Sequence, residues 1–106
     1  MSVSALSARA EISDKSLVRS FSYVNGKWCF SSNGEVIAVT DPATGDYIGD
    51  VTAMTAEDAG AAVDAAQAAF AGWAGMLPQA RSTILRRWFD LMIEHREDLA
   101  RLMVLE

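Results

Sequence analysis

The spacing of apolar residues changes once along this chain, and the change sets the order of its secondary structure. Before Thr55, apolar and β-branched residues stand in short runs between turn residues, a pattern typical of strands and hairpins. After Thr55, apolar residues recur every three or four positions, which is the period of an amphipathic helix. The sequence therefore predicts an α+β arrangement in which two β-hairpins are followed by three helices.

Turn residues place both hairpins. Asn25 and Gly26 stand between aromatic and β-branched residues, and a two-residue type I′ turn needs a positive φ at both positions. A second turn is predicted over residues 41–46, between strands at 35–40 and 47–51. There Asp41 is suited to bond its own downstream backbone, and Gly45 accepts a left-handed φ.

Capping residues place the first two helices. Thr55 and Asp58 approximate a capping box at the start of the first helix. That helix is predicted to close at Gly72 and Gly75, since glycine favours helix ends. Pro78 suits the first turn of the second helix, where its missing N–H costs no hydrogen bond.

The three helices carry apolar faces that need a cover. The third helix is predicted to begin near Arg96. The faces are Ala59, Val63, Ala66, Phe70 and Trp73 in the first helix, Ile84, Leu85, Trp88, Leu91, Met92 and His95 in the second, and Leu99, Leu102, Met103 and Glu106 in the third. Trp73 and Trp88 are therefore predicted to be core residues. Since two short hairpins cannot cover all these faces, either the helices cover one another or they belong against a sheet outside this sequence.

Charge and composition argue against several classes of protein. The 106 residues carry a formal net charge of −5, which disfavours nucleic acid and anionic membrane surfaces as partners. No run approaches the roughly 18 apolar residues that cross a membrane. Residues 1–20 resemble neither a secretory signal nor a transit peptide and are predicted to be a mobile arm. With one Cys no internal disulfide forms, so a cytoplasmic protein is the simplest expectation.

Two single residues could carry chemistry, and both fit structural roles better. Cys29 lies in a predicted strand, far from the helix start or cation that activates a thiolate. His95 lies at the junction of the second and third helices, where histidine is usually structural. No further His or Cys stands at a zinc-binding spacing.

Three clusters also fit ordinary structural roles. The segment 41–45 lacks the Lys and the following helix of a phosphate-binding loop and is better explained as a turn. Gly72 and Gly75 lack the dinucleotide spacing and lie at a helix end. Arg81, Arg86 and Arg87 are expected to form a solvated or salt-bridged helix face. The residues alone therefore assign no catalytic, cofactor-binding or metal-binding position.

The order of the motifs, however, resembles the start of an aldehyde dehydrogenase. The similar segments are Val24-Asn25-Gly26-Lys27-Trp28, Thr40-Asp41-Pro42-Ala43-Thr44-Gly45 and the Ala-rich helix that ends in Phe70-Ala71-Gly72-Trp73. Residues 81–95 and 98–106 are similar to the succinate-semialdehyde dehydrogenase branch of this family. The resemblance covers about residues 21–106. It implies that these residues are the N-terminal part of a Rossmann-like cofactor-binding domain in an α/β parent.

The resemblance also implies an activity for the parent. The family oxidises an aldehyde with NAD or NADP, and the expected reaction is succinate semialdehyde to succinate, in 4-aminobutyrate degradation. A Cys thiolate attacks the aldehyde, an Asn side chain and a backbone N–H hold the developing charge, and a Glu activates water. The family's Cys stands in a Gly-Gln-x-Cys setting, whereas Cys29 stands in Trp-Cys-Phe, so Cys29 does not match it. The parent is expected to be a homo-oligomer.

The resemblance leaves no catalytic residue, cofactor-binding residue or metal ligand on this chain. The sequence stops inside a predicted helix without a capping Gly or Pro, which predicts a fragment that is inactive alone and binds no cofactor. The alternative is a free-standing, non-catalytic interaction module that docks a partner through exposed helix faces.

Overall fold

A computed structural model describes residues 12–106, and within them two hairpins precede three helices. The strands are β1 (Ser22–Val24), β2 (Lys27–Cys29), β3 (Val36–Thr40) and β4 (Tyr47–Thr52). The helices are α1 (Ala56–Ala74), α2 (Pro78–Glu94) and α3 (Arg96–Leu105), and a 3₁₀ helix at Lys15–Leu17 precedes β1. The predicted α+β order is confirmed.

The first hairpin turns at the predicted dipeptide. Strand β1 pairs antiparallel with β2, and Tyr23 lies opposite Trp28. Asn25 has a φ of 52° and Gly26 a φ of 75°, the positive values that a type I′ turn requires. The rings of Tyr23 and Trp28 lie 4.9 Å apart, and the guanidinium of Arg19 stacks 4.4 Å from the Trp28 ring.

The second hairpin joins β3 to β4 through the predicted Asp-Pro turn. The Oδ1 of Asp41 accepts the Ala43 N–H at 2.8 Å, and the Asp41 carbonyl accepts the Gly45 N–H at 2.7 Å. Gly45 has a φ of 78°, as expected. The two hairpins remain separate two-stranded sheets among the described residues.

The caps of α1 and α2 lie where the sequence places them, with one difference. Thr55 and Asp58 form a complete capping box, and Pro78 is the first residue of α2. Gly75 caps α1 with a right-handed φ of −79°, whereas Gly72 lies inside the helix and does not end it. A glycine inside a helix is tolerated when the surrounding residues are strong helix formers, and alanines are frequent in α1, with Ala71 directly before Gly72.

The predicted core positions in the helices are wrong. Trp73 is 37 % exposed and Trp88 is 61 % exposed, and neither α1 nor α2 contains a buried residue. The reason is tertiary: neither the hairpins nor the neighbouring helices cover the large apolar side chains. In α1 the half-buried alanines, Ala62 and Ala65, instead border a groove beside the turn of the first hairpin.

Helix α3 also differs in detail from its predicted face. Leu99 and Leu102 are half-buried as expected, but Met103 is exposed. Asp98 is the buried residue of α3, because its carboxylate accepts hydrogen bonds from a segment that precedes β1.

The predicted mobile arm, residues 1–20, falls only partly within the described residues. Its described part makes specific contacts. Ile12 is fully buried, and the N–H groups of Ser13 and Asp14 donate to Asp98. The boundary at residue 20 stays a prediction. Contacts join the two sides of it, such as the Thr52 N–H donating to the Ser20 carbonyl at 3.0 Å.

Candidate functional site

Cys29 occupies a structural position in β2. It lies opposite Ser22 in the first hairpin and is half-exposed. Its Sγ lies 3.5 Å from the carbonyl oxygen of Lys27, a contact within its own strand. This geometry supplies no helix N-terminus that would stabilise a thiolate.

His95 links two helices and the segment before β1. It is both the C-cap of α2 and the N-cap of α3. Its backbone N–H donates to the Leu91 carbonyl at 3.0 Å. Its Nδ1 lies 3.9 Å from the carboxylate of Asp14. A position between two helix ends fits the structural role that the sequence favours.

The arginine cluster divides between two environments. Arg86 pairs with Asp90 at 3.3 Å on an exposed face of α2, as predicted, and its guanidinium also lies 4.9 Å from the Phe89 ring. Arg81 is half-buried and borders a groove with Trp73. A surface pair one helical turn apart stabilises a helix by only a few tenths of a kcal/mol, about 0.3–0.5.

Two carboxylates in helix first turns are the polar groups that sequence reasoning undervalued. The Oδ2 of Asp58 accepts the N–H of Thr55 at 2.9 Å and that of Ser32 at 3.1 Å. These bonds, led by Thr55, lower the pKa of Asp58 from 3.8 to about 2, because they stabilise the ionised form. Asp58 therefore joins the start of α1 to the loop after β2.

Asp98 does the same at the start of α3. Its two oxygens accept the N–H of Ser13 at 2.8 Å and that of Asp14 at 2.9 Å. These two bonds hold the pKa of Asp98 below its usual value, and the bond from Ser13 has the larger effect. The guanidinium of Arg101, 3.5 Å away, lowers the pKa further. The sequence does not predict these bonds, since the partners of Asp98 lie 84 and 85 positions away.

An apolar sector on α2 stays exposed among residues 12–106. At 100° per residue its members span about 180° of the helix circumference, wider than the stripe of about 100° on a helix packed on one side. They are all at least 41 % exposed: Ile84, Leu85, Trp88, Phe89, Met92 and Ile93. Side chains of this size and exposure form a patch on the order of several hundred Å², the scale of the largest patch on a typical monomer, about 300–600 Å². A helix with such a sector is suited to burial on two sides.

The described residues do not assemble a metal centre or a membrane crossing. Within residues 12–106, no three His, Cys, Asp or Glu side chains converge as metal ligands would. In the same range, none of the helices has the length and apolar content that a membrane crossing requires.

Comparison with known proteins places the matched residues in one enzyme family. The model of the aldehyde dehydrogenase family matches residues 28–106. The chain is similar to the NADP(+) succinate-semialdehyde dehydrogenase of Escherichia coli K12, at 48 % identity over 91 % of this chain and 20 % of that relative. It is also similar to the glutarate-semialdehyde dehydrogenase of Pseudomonas putida, at 45 % identity with the same coverage.

A solved structure extends the similarity to the fold. The crystal structure of an Escherichia coli NADP-dependent enzyme superimposes with a TM-score of 0.88 at 48 % identity, over 91 % of this chain and 20 % of that one. The chain thus spans about one fifth of the length of the relatives that it matches.

Proposed function

Because this chain belongs to the aldehyde dehydrogenase family, we propose that it is the N-terminal part of the cofactor-binding domain of an NAD(P)-dependent aldehyde dehydrogenase. The proposed reaction of the full-length protein is oxidation of succinate semialdehyde to succinate. In this proposal the chain supports the domain and supplies no reacting group.

One observation carries the proposal: the apolar sector of α2 is built for burial on two sides and is exposed. Burying apolar surface is worth about 25 cal/mol per Å², so several hundred Å² of cover would contribute on the order of 10 kcal/mol. The matched relatives are about five times longer than this chain, which leaves them ample sequence to provide that cover. We assign the cover to the remainder of the aldehyde dehydrogenase chain.

The described residues do not fit a dinucleotide by themselves. A dinucleotide site needs a glycine-rich turn at the start of a helix, where free N–H groups meet the pyrophosphate. Here Gly72 lies inside α1 and Gly75 at its end, while α1 begins at the closed capping box of Thr55. No step of the reaction is therefore assigned to these residues, and the isolated chain is proposed to bind no cofactor.

The relatives point to a substrate class. Their names specify succinate semialdehyde and glutarate semialdehyde, which are aldehydes with a carboxylate at the far end of a short carbon chain. The full-length protein is proposed to use the same class, with succinate semialdehyde first.

The test measures NADPH and NADH formation from succinate semialdehyde with two proteins. The first is the isolated chain, which should give no rate above a protein-free blank. The second is a chimaera in which this chain replaces the matched one-fifth of the Escherichia coli relative, and it should be active. Activity of the isolated chain contradicts the proposal. So does a chimaera that is inactive or fails to fold, since the segment should be interchangeable.

The alternative is a free-standing, non-catalytic interaction module that docks a partner through the same exposed helix faces. Under either hypothesis the isolated chain has uncovered apolar surface and should self-associate. A monomer in size-exclusion chromatography with light scattering, together with cooperative melting, would contradict both. The chimaera separates them, since the favoured proposal requires that it be active.

A further inference from the structure

Residues 12–20, which we call the strap, run from the start of α3 to the end of β4. At one end, the N–H groups of Ser13 and Asp14 donate to the carboxylate of Asp98. At the other end, the carbonyl of Ser20 accepts the N–H of Thr52, the last residue of β4, at 3.0 Å. The strap thus bonds the helical part of the fold and the second hairpin through backbone groups at both ends.

The strap is ordered internally by its own side chains. The Oδ1 of Asp14 accepts the N–H of Ser16 at 3.0 Å and its hydroxyl at 2.6 Å, which starts the 3₁₀ helix. The Lys15 ammonium donates to the carbonyl of Ile12. Ile12 is fully buried, so the N-terminal end of the strap is fixed by apolar contact as well as by hydrogen bonds. A segment fixed in these ways transmits a displacement from one end to the other.

The middle of the strap lies against the second hairpin. Val18, Arg19 and Ser20 line a small cavity together with residues of β3 and β4, and the cavity is also bordered by Glu106. Ile48, a buried residue of β4, faces the same cavity. The strap, the second hairpin and Glu106 therefore meet around one cavity.

The charges around Asp98 come from three elements. Asp14 belongs to the strap, His95 to the junction of α2 and α3, and Arg101 to α3 itself. Arg101 and a protonated His95 favour the ionised carboxylate, whereas burial opposes it. The charge of Asp98 in turn opposes ionisation of Asp14. The two N–H donors from the strap are the largest stabilising influence on the charge.

We propose that the strap couples the position of the α2–α3 junction to that of the second hairpin. The bonds from Ser13 and Asp14 to the Asp98 carboxylate, which we call the latch, fix the strap to α3. While the latch is closed, α3 and β4 keep a fixed relation. When it opens, residues 12–17 detach and the bond between Ser20 and Thr52 loosens with them. This inference concerns the described chain itself and does not depend on the proposed activity.

Amide hydrogen exchange on the 106-residue chain at neutral pH tests the proposal. In the unaltered protein, the amides of Ser13 and Asp14 should exchange at least about tenfold more slowly than unprotected amides, because charged acceptors form strong bonds. Asp98→Asn should remove that protection and also speed exchange at Thr52, at the far end of the strap. Glu97→Gln, in the same first turn but exposed, is the matched control and should change neither.

The outcomes decide between coupling and a local contact. If Asp98→Asn exposes Ser13 and Asp14 but leaves Thr52 unchanged, the latch is local and the proposal is wrong. If the two amides already exchange freely in the unaltered protein, the latch does not exist. Should Asp98→Asn unfold α3, shown by loss of protection at Leu102, an NMR titration of the unaltered protein replaces it. The Ser13, Asp14 and Thr52 amide resonances must then shift with the Asp98 carboxyl, and independent shifts overturn the proposal.

Discussion

The carboxylate of Asp98 accepts the backbone N–H of Ser13 at 2.8 Å, across 85 positions of sequence. Asp58 makes a bond of the same kind to Ser32, across 26 positions. Both acids lie in the first turn of a helix, where they also favour the helix dipole. Charge-assisted backbone bonds thus attach α3 to the strap and α1 to the loop between β2 and β3. The buried apolar side chains among residues 12–106 are only Ile12 and Ile48.

The capping box of α1 should contribute measurably to stability. Thr55→Ala removes the oxygen that accepts the Asp58 N–H at 3.1 Å, and loss of such a cap costs about 1 kcal/mol. Thr55→Ser keeps the hydroxyl and should cost little. Urea unfolding followed by helical circular dichroism checks both. Equal stability of the alanine and serine variants would contradict the role of the cap.

The stabilising contribution of Asp58 in this capping box should be lost at acid pH. The pKa of Asp58 is lowered from 3.8 to about 2 in the folded chain, so folding favours its ionised form. Its contribution is therefore fully present above pH 3.8 and is lost as the pH falls towards about 2. An NMR titration should show the amides of Thr55 and Ser32 moving together in that window. A midpoint at or above 3.8 would show that the carboxylate is not held by these donors.

Replacing Gly26 and Gly60 by alanine should change the stability of the chain in opposite directions. Gly26 has a φ of 75°, where an L-residue costs about 1–2 kcal/mol, so Gly26→Ala should destabilise the first hairpin. Gly60 lies inside α1 with open space around its Cα, so Gly60→Ala should stabilise the helix by about 0.5–1 kcal/mol. Thermal melting of both variants provides the comparison. A shift in the same direction for both would mean that backbone conformation does not decide the outcome.

The apolar sector of α2 should drive association of the isolated chain. Trp88→Lys places a charge in the centre of the sector and should move the chain towards monomer in light scattering. Arg87→Lys, on the polar face of the same helix, is the control and should leave the oligomer distribution unchanged. If both variants behave like the unaltered chain, the sector is not the associating surface.

Local signals predicted the elements of this fold, and distant contacts decided what the sequence could not show. The Asn25-Gly26 turn, the capping box at Thr55 and the start of α2 at Pro78 each depend on residues within a few positions of one another. Whether Trp88 is buried depends instead on what packs against α2, so periodicity identified an apolar face but not its exposure. The role of Asp98 was missed for the same reason, because its partners lie at the other end of the chain.

The candidate site likewise combines features set by neighbouring residues with features set by distant contacts. The placement of Cys29 in a strand follows from its neighbours in the sequence and is confirmed by its position in β2, while its lack of a catalytic role stays a prediction. The exposed sector of α2 was foreseen only as one of two alternatives, since sequence alone did not tell whether the helices cover one another. The structure favours the second alternative, in which their cover comes from elsewhere.

The central claim is that the remainder of an aldehyde dehydrogenase chain covers the apolar sector of α2. The most direct measurement is the change in free energy of unfolding caused by Trp88→Ala, in the isolated chain and in the chimaera with the Escherichia coli relative. In the isolated chain, at a concentration where light scattering shows a monomer, the change should stay within about 0.5 kcal/mol, because the side chain is exposed. In the chimaera it should reach about 3–5 kcal/mol, the cost of removing a buried Trp, while Arg87→Ala costs little in either protein. A small and equal effect of Trp88→Ala in both proteins would contradict the claim.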